Sequence, residues 1–157
     1  MPPSRSRTTA PLRTEPELAN SAALDRAALL EVHQQDRRAH LTGDADLLTL
    51  SMAEHLWEAS RGGLNRLARA EVRDRFAAYF ESVRYSLWDD LQPPHVSVSA
   101  DGNSAWMAVE IEAQLTTIAE DGVNRNDSFE SSWISVYEKH DGRWLMVGIS
   151  SSIVDRS

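Results

Sequence analysis

The stretch RRAHLTGDADLLTLSMAEHLWEAS (residues 37–60) passes from a helix through a stop and a restart into a strand. Gly43 suits the left-handed position that closes a helix, and Asp44 suits the N-cap of the next one. A short second helix is expected from Ala45 to about Met52, then a strand over His55–Ser60, broken by Arg61-Gly62-Gly63. Upstream, residues 17–41 hold no proline or glycine and are rich in alanine and leucine, with Leu24, Ala28 and the Leu29–Val32 region at helical spacing.

Downstream, Ala68–Ser82 reads as a third helix, with Val72, Phe76, Tyr79 and Phe80 on one face. After Val83 the period changes. Residues 95–99 alternate, and residues 100–103 turn, with Gly102 and Asn103 suited to positive φ. In a long strand, Met107, Val109, Ile111, Ala113 and Leu115 face one way, while Trp106, Glu110, Glu112 and Gln114 face the other. Further strands are expected over Ser128–Glu138 and Arg143–Ile153, with turns at Asp121-Gly122 and Asp141-Gly142. Helices first and an antiparallel sheet afterwards define an α+β domain.

Residues 1–16 carry four of the six prolines and no aromatic side chain, so they read as a disordered tail before a domain at 17–157. One domain fits the 157 residues. The absence of cysteine excludes disulfides and thiolate chemistry. Sixteen basic residues against twenty-four acidic ones give −8. The first fourteen residues hold three arginines and no acid, so residues 15–157 have thirteen basic against twenty-four acidic residues, or −11. Such a body repels phosphate backbones and anionic lipid, and no nucleic acid or membrane partner is expected. No secretory leader or membrane span is read, and a cytoplasmic location is expected.

The stretches 37–60, RAEVRDRFAAYF (69–80) and VYEKHDGRWLMV (136–147), in that order, resemble the nuclear transport factor 2-like superfamily and its SnoaL-like and ketosteroid-isomerase-like branch. The resemblance implies a cone, with three N-terminal helices packed on a curved, mostly antiparallel sheet around a pocket. It also implies a homodimer through the outer face of the sheet. The fold hosts isomerases, cyclases and hydratases as well as binding modules, so it locates a site without naming its chemistry.

Counted from Gly43, Asp36 stands where the isomerases hold a donor tyrosine and Ser60 where they hold the basic aspartate. By the same resemblance, Trp133 replaces their second acidic donor, Phe76 a second tyrosine. A hydroxyl is too weak a base to replace a carboxylate, so this is not a steroid isomerase of the known type.

Asp36 shares a helix face with His33 and His40 and forms with His40 a candidate acid–base couple. Glu58, two residues before Ser60, lies on the same strand face as that serine and is a second candidate proton acceptor. An ordinary solvated helix face beside Gln34, Gln35, Arg37 and Arg38 is the competing reading of His33 and Asp36. The catalytic candidates are therefore Asp36, His40 and Glu58, and the ligand-binding candidates are Ser60, Phe76, Tyr79, Trp133 and Ser151. No metal is expected, because His33 and His40 are two helical turns apart, and no phosphate-binding glycine motif points to a nucleotide cofactor. A small-molecule-binding domain with cofactor-free acid–base chemistry leads, and a non-catalytic association domain is the alternative.

Overall fold

The computed structural model describes residues 9–157. Its elements run α1 (Glu15–Thr42), α2 (Ala45–Thr49), β1 (Met52–Ser60), β2 (Gly63–Ala68), α3 (Arg69–Ser82), β3 (Val83–Asp90), β4 (His95–Val98), β5 (Ser104–Ile118), β6 (Asn124–His140) and β7 (Arg143–Asp155). The seven strands form one mixed sheet in the order β2-β1-β7-β6-β5-β3, with β4 also on β5. Among the described residues only the β1–β7 pairing is parallel. The architecture is α+β, helices against an open mixed sheet.

Thr14 and Glu17 form a capping box at the start of α1, which the sequence reading did not anticipate. The anticipated stop is present, with Gly43 ending the helix at φ 67°. Asp44 caps α2 by accepting from the Leu47 N–H at 2.9 Å. Three readings need correction. Residues 15 and 16 belong to α1, and residues 1–8 of the expected tail lie outside the described residues. The third helix follows the β1–β2 hairpin, so the helices are not all N-terminal to the strands. In the 100–103 turn only Gly102 takes positive φ, and Asn103 does not.

The inward stripe of α1 is the larger surprise. Leu24 is exposed, while Asp25, Leu29, His33, Ala39 and His40 are buried. Burying polar groups without partners is costly, so each must find one, and Asp25 and His33 find theirs across the interface. Asp25 accepts from Lys139 Nζ at 2.6 Å and from the Trp144 indole N–H at 3.2 Å, tying α1 to the β6–β7 hairpin. His33 Nε2 donates to Asp90 Oδ1 at 2.7 Å, tying α1 to β3. Beneath the helix, Leu29, Met107, Val109, Ile111, Tyr137 and Trp144 form the core. No helix among the described residues is long and apolar enough to cross a membrane.

Lys139 is the single lysine of the chain, and it is largely buried against Asp25. Asp25→Ala leaves an ammonium and an indole N–H unpaired, and the expected cost is about 3 kcal/mol. Urea unfolding followed by circular dichroism reads it, and a loss of under about 0.5 kcal/mol would show the contact to be idle.

Candidate functional site

A β-bulge in β3 builds the site. Tyr85 pairs with Leu115 and Trp88 with Ala113, with one extra residue between Tyr85 and Leu87. Strict alternation would send Tyr85 and Trp88 to opposite faces, but the bulge turns both rings inward. There Trp88 meets the last turns of α1. Its ring stacks on His40 with centroids 3.6 Å apart and planes 12° from parallel. Phe76, Phe80 and Tyr85 meet the same imidazole edge-on at 6.1, 5.8 and 5.5 Å. Phe129 and Trp133, inward on β6, flank Trp88 from the other side.

Two polar features lie within these rings. The His40 Nδ1–H donates to the Asp36 backbone carbonyl at 2.8 Å, and the Asp36 carboxylate stands 3.5 Å from the same nitrogen. A carbonyl can only accept, so Nδ1 carries a proton, and Nε2 has no protein partner. The second feature is a hydroxyl pair, Tyr79 and Tyr85, at 2.9 Å. Burial first, then the Tyr79 hydrogen bond and the Asp36 charge, push the Tyr85 phenol well above its ordinary range. Burial also raises Tyr137 to about 12, with the Asp36 charge adding to it and the Ser135 hydrogen bond opposing it. Asp36, about a quarter exposed, therefore projects its charge into the interior.

The candidates from the sequence divide. Asp36, His40, Phe76, Tyr79 and Trp133 come together in or beside this cluster. Glu58 is instead held by Arg75 of α3, with its Oε2 3.6 Å from the guanidinium, and forms no hydrogen bond or ion pair with Asp36 or His40. Ser60 closes the β1–β2 hairpin opposite Gly63. Ser151 pairs with Trp133 across β6 and β7.

Sequence reading missed Tyr85, Trp88 and Phe129 as members of the cluster. Alternation alone could not have found the first two together, because the bulge leaves no sequence mark. Among the described residues no group of three or more histidine, aspartate or glutamate side chains is placed to hold a metal.

Two clefts, of about 500 and 390 Å³, open elsewhere. The larger is floored by Ala108, Glu110, Ser132, Ile134, Ser150 and Ser152, which alternate to the outer side of the sheet. Asp36, His40, Tyr85 and Trp88 line neither. The outer side also carries a row in which Trp106, Val136, Gly148 and Trp57 are successive partners across four strands. Both tryptophans and Val136 are exposed, as is Ile134 in the next row.

No family model matches the chain, and no curated protein matches it. Solved structures do. A nuclear transport factor 2-like protein with a cystatin-like fold from Novosphingobium aromaticivorans superposes with a TM-score of 0.62 at 17% identity, covering 94% of each chain. A candidate calcium/calmodulin-dependent kinase II association domain from Exiguobacterium sibiricum gives 0.62 at 12% identity, over 84% of this chain and 95% of its own. A candidate dehydratase of the same fold family from Streptomyces avermitilis gives 0.56 at 15%, over 84% and 97%. The chain thus has the nuclear transport factor 2-like fold.

The raised phenols predict a pH dependence. A tyrosine with an ordinary pKa of 10.0 when unfolded and about 12 when folded binds more proton in the folded state between those values. Its contribution is intact below pH 10 and is lost progressively up to pH 12, so stability falls with rising pH across that window. Tyr85 shifts in the same direction. Unfolding midpoints should drop from pH 10 upward, with tyrosinate absorbance from the two phenols appearing only as the chain unfolds. Full ionisation of all three tyrosines near pH 10 in the folded protein would contradict this burial.

Proposed function

We propose that the chain is a small-molecule-binding domain whose helices close the inner face of the sheet as a cone. Within it, Asp36 and His40 perform cofactor-free acid–base chemistry of the isomerase, cyclase or hydratase type. The observation that carries this reading is His40: a buried imidazole with Nδ1–H fixed on a carbonyl, a carboxylate at 3.5 Å and Nε2 without a protein partner. In such an arrangement Nε2 accepts a proton from the ligand, and the neighbouring carboxylate stabilises the imidazolium that forms. The surrounding rings favour a compact, largely apolar ligand with one or two polar groups. Glu58 belongs to the rim with Arg75 rather than to this couple. Ser60 and Ser151 are kept as ligand contacts of the mouth.

A ligand-library thermal-shift screen, with mass spectrometry of what co-purifies, supplies the ligand. Asp36→Asn keeps shape and removes charge, so it should weaken that ligand by about tenfold or more while shifting the melting temperature by only a few degrees. An Asn variant that binds as tightly as the parent refutes the assignment.

A second reading is favoured by the outer face. The exposed row of Trp57, Val136 and Trp106 suits an association domain, whose partner would be a second copy of the chain. It is compatible with the first, since the two use opposite sides of the sheet. Light scattering should give twice the 17.6 kDa of one chain, and Val136→Glu should return the monomer. A parent that is already monomeric at micromolar concentration excludes it.

A further inference from the structure

Each buried polar or charged side chain on the inner stripe and sheet has a partner. Asp25 holds Lys139 and Trp144, His33 holds Asp90, His40 holds the Asp36 carbonyl, and Ser135 donates to the Tyr137 hydroxyl. Thr49 and Ser131 donate to backbone carbonyls. Among the described residues one side-chain polar atom that is itself closed to solvent has none: the indole Nε1 of Trp88, a residue only 7% exposed. Leaving such a donor empty costs about as much as losing a hydrogen bond, so it calls for a physical explanation.

Rings surround that indole, and no protein acceptor lies within hydrogen-bond reach of its N–H. His40 covers one face of it, Tyr85 and Phe129 stand edge-to-face, and Trp133 is tilted against it. The local charge is negative. Asp36 raises the phenols of Tyr85 and Tyr137, and Asp90 lies at the end of the same strand as Trp88. The nearest cation on α1, Arg37, is spent on the Trp88 carbonyl and on Asp89. An anionic oxygen would be repelled here, whereas a neutral oxygen with a lone pair would be accepted.

We infer that the Trp88 indole N–H donates to the carbonyl oxygen of a neutral, compact ligand (a ketone, ester or amide), making Trp88 the residue that selects against both carboxylates and plain hydrocarbons. This rests on the inner cluster being the binding site. Tyr79 is the most exposed ring of the cluster and hydrogen-bonds Tyr85 at its edge, which puts the ligand's approach on that side.

Three probes of nearly one shape test it on the intact chain: acetophenone, α-methylstyrene (a CH₂ in place of the carbonyl oxygen) and benzoate. Nitrogen–proton correlation spectra read five indole signals, one per tryptophan, with that of Trp88 assigned through its own backbone. Acetophenone should move the Trp88 signal downfield and bind about tenfold tighter than either of the others, since one such hydrogen bond is worth roughly that factor. In Trp88→Phe the preference for the ketone over the hydrocarbon should vanish. Equal binding of acetophenone and α-methylstyrene, or a Trp88 signal that stays still while others shift, overturns the role of Trp88 and leaves the site itself standing. No shift at Trp88 or His40 with any probe overturns both.

Discussion

The burial of polar side chains on the inner stripe of α1 is the constraint on which the rest of this structure depends. A helix whose inward positions were all leucine could slide or rotate on the sheet at little cost, since apolar contact is non-directional. Asp25 and His33 cannot, because each loses a directional partner on the sheet if the helix moves. Asp25 fixes the helix to the β6–β7 hairpin and His33 fixes it to β3, at two points about two turns apart. Beyond them the helix presents Asp36 and His40 at a defined height over the sheet.

That height matters because of what the sheet presents there. The β3 bulge places Tyr85 and Trp88 on one side and so surrounds His40 with rings from β3 and α3. Indole stacking on one face holds the His40 ring plane, and the backbone carbonyl holds its Nδ1 proton. The site thus depends on orientation within a dry surround more than on an accumulation of charge.

The two sides of the sheet have divided the work. Inward residues of β5 and β6 supply the core and the aromatic wall, and outward residues supply a row of exposed tryptophan and valine interrupted by Gly148. Solved structures of this fold include candidates named for dehydration and for association.

The succession of helix, stop, short helix, strand and meander was legible in the sequence because each signal is local. Gly43 and Asp44 act within a few residues, and the alternation of Met107 to Leu115 needs only one strand to express itself. Asp36 and His40 as neighbours were legible for the same reason, being one helical turn apart. Their surroundings were not. The alternation that correctly divides β5 would have separated Tyr85 from Trp88, because a bulge is settled by how a strand must bend against its neighbour. Nor could spacing reveal that Glu58 would turn to Arg75, or that Lys139 would meet an aspartate more than a hundred residues away. Sequence determined the elements and the facing couple, since those depend on short-range backbone preference. Tertiary structure alone decided which rings enclose the couple and which buried donor remains open, because both are set by contacts between strands and helices far apart in the chain.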